Sequence, residues 1–169
     1  MDRSACFDET GKYRYRLDRR WFEFGRSVCF IMLNPSTADA FKEDPTIRRC
    51  IGFAKRLGCS AMSVVNLFGL RATEPKELKR ADDPVGERND YYIRAAIEAA
   101  SMVICAWGVH VGSSGRDREV CDILQHFRGP IYTFGVTKAG HPKHPLYLPA
   151  DSELQRFEYG TSWDVVPEC

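Results

Sequence analysis

Three short polar side chains, Asn34, Ser36 and Thr37, follow directly on the apolar run Val28-Cys29-Phe30-Ile31-Met32-Leu33, with Pro35 set among them. In α/β proteins, chemistry collects where parallel strands end. Pro35 forbids continuation of the strand and biases Asn34 toward an extended conformation, which holds the Asn34 amide at the strand tip. Asn34 is therefore the first catalytic candidate. The plainer use of the same residue is an Asx turn that ends the strand.

A second amide, Asn66, lies inside Val64-Val65-Asn66-Leu67-Phe68, where a polar group in an apolar strand needs hydrogen-bond partners from a ligand or from neighbouring backbone. Carboxylates follow the Asn34 strand at Asp39 and Asp44, and either can polarise a water. Asp44-Pro45-Thr46 also has the form of a helix start, with Asp as N-cap and Pro at the first helical position. His141 and His144 fall in a proline-restricted loop, Gly140 to Tyr147, where they can donate to a substrate oxygen. Arg71, Lys138 and Lys143 are cations that can grip phosphate, a contact that gives affinity without sequence choice. Phe41, Phe68, Trp107 and Tyr147 offer either stacking surfaces or core packing.

These residues need a scaffold that gathers strand ends. Ile47, Cys50, Ile51, Ala54 and Leu57 recur at helical spacing and stop at Gly58. The pattern then alternates: strand Met62 to Phe68, a polar loop with Pro75 and Pro84, helix Arg88 to Ala100, strand Met102 to Trp107, helix Arg116 to Phe127, strand Pro130 to Phe134. Such alternation predicts an α/β domain in three layers, α/β/α, around a four-stranded parallel sheet covered on both faces. Tyr13, Tyr15 and Leu17 alternate with Arg14, Arg16 and Asp18, the signature of a half-exposed strand, expected to form an N-terminal hairpin with Trp21 to Phe24 that flanks the sheet. A short terminal helix is expected from about Asp151. The whole chain, 1–169, reads as one domain: an extension at 1–26, a core at 27–149 and a terminal segment at 150–169.

The net charge of +1 supplies no overall field toward nucleic acid, so any basic surface is local. The seven cysteines lack Cys-x-x-Cys spacing and fall mostly in apolar patterns, as reduced core thiols do in a cytosolic protein. No signal pattern opens the chain, and no apolar run approaches the roughly 18 residues of a membrane helix, so a cytoplasmic, membrane-free protein is expected. With four histidines and no zinc-type spacing, neither a metal nor another cofactor is expected.

The ordered set Leu33-Asn34-Pro35-Ser36, Val64-Val65-Asn66-Leu67, Ala106-Trp107-Gly108 and His144-Pro145-Leu146 resembles the uracil-DNA glycosylase superfamily across most of the core. In that family a strand ends in Gly-x-Asp-Pro or Gly-x-Asn-Pro, an Asn-bearing strand reads the base, and a late His-Pro-Ser or Asn-Pro-Ser loop embraces the flipped nucleotide. Leu33 and Leu146 depart from those motifs. The strings Met32 to Asp39, Asp44 to Cys50 and Val65 to Phe68 also resemble a small uncharacterised bacterial and phage branch.

The resemblance implies a uracil-DNA-glycosylase-like fold and a monofunctional DNA N-glycosylase that acts on a flipped-out base. Asn34 would position the attacking water, with Asp39 or Asp44 as base; Asn66, and with it Phe68, would contact the base; His144 would hydrogen-bond the departing base. Leu146 or Tyr147 would fill the wedge region, while Ser36, Arg71 or Lys143 would hold the phosphate backbone of the DNA partner. Because the uracil motifs depart, a modified base is expected, such as a glucosylated hydroxymethylcytosine of phage DNA, in antiviral defence. Two other classes fit the same residues: a non-catalytic reader of modified nucleic acid, and an N-glycosidase acting on free nucleosides or nucleotides.

Overall fold

A computed structural model of the chain describes residues 1–158. Its sheet has seven strands: β1 (Asp2–Phe7), β2 (Arg14–Arg20), β3 (Ser27–Met32), β4 (Ala61–Asn66), β5 (Met102–Cys105), β6 (Ile131–Thr133) and β7 (Gln155–Arg156), in the order β1-β2-β4-β3-β5-β6-β7. The helices are α1 (Pro45–Arg56), α2 (Pro75–Arg80), α3 (Asn89–Glu98) and α4 (Arg116–Leu124), and a 3-10 turn spans Pro145–Tyr147.

This overturns the expected four-stranded parallel, uracil-DNA-glycosylase-like sandwich. The strands β4, β3, β5 and β6 run parallel to their neighbours, but β2 pairs antiparallel with β4 on one side and β7 pairs antiparallel with β6 on the other, making one larger mixed sheet. A parallel sheet leaves a row of unpaired backbone groups on each flank, and added strands satisfy them. The N-terminal hairpin is likewise different from the expected one. Strand β2 pairs with β1, not with Trp21 to Phe24, and is itself part of the main sheet. No helix begins at Asp151: the described residues there form a turn and then β7. The loop with Pro75 contains α2, six residues long, whose Glu77 carboxylate accepts from the Glu74 N–H at 2.8 Å.

Strand β3 shows why the parallel strands read as continuous apolar runs. Val28, Phe30 and Met32 pack with Ile47, Cys50, Phe53 and Ala54 of α1, while Cys29, Ile31 and Leu33 pack with the layer that holds Ile93 and Ile97 of α3 and Val120 and Leu124 of α4. Alternate side chains thus bury into helices on opposite faces. Helix α1 starts as its sequence prescribes: the Asp44 side chain accepts from the Ile47 N–H at 2.8 Å, and Pro45 occupies the first turn, where its missing N–H costs nothing.

The chain passes from β3 to β4 on one side, then returns past β3 to place β5 on the other. The carboxyl ends of β3 and β5 therefore diverge at a topological switch point, where open α/β sheets form their crevice.

Candidate functional site

A cavity of about 630 Å³ occupies that position, within the ~300–1,000 Å³ typical of small-ligand sites. Its wall takes Leu33 and Asn34 after β3, Asn66 at the end of β4, Trp107 and Gly108 after β5, and Lys143 and His144 after β6. The start of α1 contributes Asp44, and the 3-10 turn contributes Leu146 and Tyr147.

The loop after β3 is fixed from several directions. Asn34 Nδ2 donates to the Pro35 carbonyl at 3.0 Å and to the Ala72 carbonyl at 2.8 Å, and the Ala72 N–H donates back to the Pro35 carbonyl at 3.0 Å. Both amide hydrogens are thereby used, and Oδ1 is left as an acceptor whose direction is set by the backbone. Two buried guanidinium groups from β2 hold the next residues: Arg14 Nη1 donates to the Ala38 carbonyl at 2.8 Å and Arg19 Nη2 to the Asp39 carbonyl at 2.7 Å.

Asn66 is placed with equal firmness at its backbone. Asn89 Nδ2 donates to the carbonyls of Asn66 and Leu67, and Arg116 Nε donates to the Leu67 carbonyl at 2.7 Å. The Asn66 side chain is different. It is 1% exposed, and neither Nδ2 nor Oδ1 has a hydrogen-bond partner among the described residues. Leaving one buried polar group unpaired costs about 1–3 kcal/mol, so an amide unpaired at both ends in a cavity wall marks a place for a ligand. Arg14 Nε and Trp107 Nε1 are unpaired and buried in the same wall.

His144 has a defined protonation. Its Nδ1 accepts from the Leu146 N–H at 3.2 Å, so the neutral ring carries its proton on Nε2. Burial holds its pKa below the usual histidine value; the Asp44 carboxylate opposes that shift and His110 adds to it. Gly108 fits the turn here: it takes φ +75, a left-handed conformation that favours glycine, and its N–H donates to the Pro142 carbonyl at 2.8 Å. Helix α1 holds the far end of the loop, because the Arg49 guanidinium donates to the carbonyls of Pro145 and Leu148 and lies over the Phe53 ring.

Of the residues singled out from sequence, the cavity brings together Asn34, Ser36, Asp44, Asn66, Lys143, His144, Leu146 and Tyr147. Asp44 has two duties, since one carboxylate oxygen caps α1 while the residue lines the cavity. His141, Lys138 and the exposed Phe41 do not line the cavity, and three further candidates stand apart with other duties. The Asp39 carboxylate accepts from Phe41 N–H and Lys42 N–H, each at 2.7 Å, and shapes its own turn; those donors hold it below the usual carboxylate range. Phe68 is core, packed in the layer under α3 and α4. Arg71 is exposed, donates to the Gly11 carbonyl at 3.2 Å and lies over the Phe7 ring.

Arg14 is the residue that the sequence reading passed over. Simple alternation sets it opposite Leu17, on the exposed side. A register shift between Cys6 and Phe7 pairs Cys6 with Arg16 and Phe7 with Arg14, leaving Tyr15 as the extra residue of a bulge. One extra residue reverses the alternation. Arg14 therefore turns to the same face as Leu17, where it is 2% exposed and reaches Ala38. Burial pushes its guanidinium down to about 10, with the Asp44 carboxylate acting in the opposite direction.

The fold and site define a single class: an α/β domain with a ligand-sized cavity, mainly apolar with a few polar side chains in its wall, at the switch point of a mixed sheet. Residues 14–146 match the model of a protein family of unknown function, DUF1643, and the chain belongs to that family. No curated protein matches the chain, and no solved structure does. Among the described residues no cluster of three or more His, Cys, Asp or Glu is placed to hold a metal ion, and no helix is long and apolar enough to cross a membrane.

Proposed function

We propose that this protein is a DNA N-glycosylase that hydrolyses the bond between deoxyribose and a flipped-out, modified base, leaving an abasic site. The observation that carries this reading is the Asn66 amide, buried in the cavity wall with donor and acceptor both unpaired. A base edge offers that complement, one acceptor beside one donor. The reading also draws on the resemblance of the motifs around Asn34, Asn66 and His144 to those of uracil-DNA glycosylases.

Rupture of the glycosidic bond leaves positive charge on the sugar and negative charge on the base, so preorganised dipoles suffice for catalysis. In this scheme Asn34 Oδ1 accepts from a water, whose oxygen forms the new bond to the anomeric carbon as the base leaves with the bonding electrons. Asp44 takes the proton that the water gives up. The Nε2–H of neutral His144 donates to the departing base and stabilises its anion. Tyr147, 91% exposed on the rim, is suited to fill the space the flipped nucleotide vacates, and Lys143 to hold the flanking phosphate. Such an enzyme works in the cytoplasm on cellular or phage DNA, and selectivity for a phage-modified cytosine would make it a defence protein.

One observation favours a second reading. A guanidinium buried in the cavity wall also suits the phosphate of a free nucleotide, which an N-glycosidase would cleave without DNA.

The deciding experiment incubates the protein with DNAs carrying thymine, uracil, hydroxymethylcytosine or glucosylated hydroxymethylcytosine. Free base is read by mass spectrometry and abasic sites by alkaline cleavage. Release from a modified DNA that is lost in Asn66→Val supports the proposal. Tight binding with no release would make the protein a reader; turnover of free nucleotides alone would establish the second reading.

A further inference from the structure

Arg14 lies on the strand that runs alongside Asn66. Leu17 is paired with Val64 in the β2–β4 ladder, and Tyr13 bridges Leu70 beyond the end of β4, so residue 14 falls beside the segment that follows Val64. The bulge at Tyr15 turns Arg14 to the face that Leu17 and Val64 share. Both Arg14 and Asn66 line the cavity, and both are almost wholly buried.

Their unpaired atoms differ in kind. Asn66 offers one donor group and one acceptor, whereas Arg14 Nε–H can only donate, its Nη1 being already engaged with Ala38. Trp107 Nε1–H, unpaired in the same wall, is again donor only. An unsubstituted pyrimidine edge answers Asn66 but leaves these donors over. Among the unpaired buried atoms of the wall the donors, Asn66 Nδ2, Arg14 Nε and Trp107 Nε1, outnumber the one acceptor, Asn66 Oδ1, so a ligand that satisfies these atoms brings surplus oxygens.

We propose that Arg14 determines substrate choice, donating through Nε to an oxygen carried by a substituent of the base whose edge Asn66 reads. This rests on the glycosylase reading for the identity of the base, but not for the presence of the oxygen. The position is hard to fill otherwise: a lysine can keep the charge and the contact to the Ala38 carbonyl, yet has no donor part-way along its stem. A charge-assisted hydrogen bond made to one substrate and not another separates them by about tenfold to a hundredfold.

Two measurements test the proposal. The first compares kcat/KM of the wild type and Arg14→Lys on DNAs with cytosine, hydroxymethylcytosine, carboxylcytosine and glucosylated hydroxymethylcytosine. The expected result is that the ratio of oxygen-substituted to unsubstituted base falls at least tenfold in the variant. An unchanged ratio with base still released overturns the role of Arg14 and leaves the glycosylase standing.

The second keeps the idea testable if Arg14→Lys misfolds or if no DNA is cleaved. Wild-type protein labelled with ¹⁵N is titrated with deoxycytidine, its hydroxymethyl, carboxyl and glucosylated derivatives, and deoxycytidine monophosphate, while the Arg14 Nε–H resonance is followed. A shift with the oxygen-substituted nucleosides, absent with deoxycytidine, upholds the inference even if glycosylase activity fails. No shift with any nucleoside, or a shift produced by the monophosphate alone, overturns it.

Discussion

Asn34 and Ala72 clasp the two loops that leave the neighbouring parallel strands β3 and β4. The Asn34 amide donates to the Ala72 carbonyl over 2.8 Å, and the Ala72 N–H returns a bond to the Pro35 carbonyl over 3.0 Å. The amide that would aim a water is therefore also a fastener. Removing it should show in stability as well as in rate. Asn34→Ala is expected to lose about 1–3 kcal/mol in urea unfolding together with turnover. Asn34→Asp should be worse at neutral pH, because its carboxylate would face two carbonyl oxygens with no proton to offer.

Asn66 predicts the opposite sign. Its amide is buried and unpaired, so Asn66→Val exchanges an unsatisfied polar group for an apolar one next to a cavity with room for it. The variant should be more stable than the wild type, by up to about 1–3 kcal/mol, while releasing no base. A clear loss of stability in urea titration would mean that Asn66 finds partners in the free protein and would remove the main support for a ligand there.

Asp44 can be divided between its two duties. Serine caps helices as well as aspartate does, so Asp44→Ser should stay within about 0.5 kcal/mol of the wild type, whereas Asp44→Ala should lose about 1 kcal/mol with the cap. If the carboxylate takes the proton of the attacking water, both variants lose at least about a hundredfold in turnover. Full activity in Asp44→Ser would confine the residue to capping.

His144 gives a pH dependence with a definite sign. Burial lowers its pKa in the folded state, and its Nδ1 accepts the Leu146 N–H, an interaction that protonation destroys. Below the unfolded value of 6.5 the unfolded chain binds more protons than the folded one, so stability falls as pH drops from 6.5 toward the folded pKa and is fully present above 6.5. Unfolding free energies measured between pH 5 and pH 8 should show this slope, reduced in His144→Gln. A profile of the variant that parallels the wild type would exclude His144 as its source.

Arg49 acts on the site only through the loop it holds. Its guanidinium binds the carbonyls of Pro145 and Leu148 from across α1. Arg49→Ala should lower kcat as well as raise KM, since His144, the donor to the departing base, and Tyr147 on the rim both lose the support of their loop. Arg49→Lys should recover part of the loss, and steady-state base-release kinetics of all three proteins are the check.

The apolar runs of β3, β4 and β5 were legible from the residues alone because a strand buried on both faces is mostly apolar, which also makes an exception such as Asn66 in β4 stand out. The start of α1 was legible too, since Asp44-Pro45 satisfies a local rule of backbone hydrogen bonding that no distant contact has to arrange. These local rules place Asn34, Asn66 and His144 on segments that leave parallel strands, which is enough to nominate them. They do not show that Asp39 shapes its own turn or that Phe68 faces the core; both depend on which way a loop folds after its strand. The extent of the sheet was also undetermined locally, because the charged residues of β2 read as a solvated flank. Tertiary structure alone decided that β2 joins β4, that one bulged residue turns the Arg14 guanidinium inward, and that the Asn66 amide remains without a partner. Pairing register and hydrogen-bond satisfaction join residues far apart in the chain, so no window of sequence contains them.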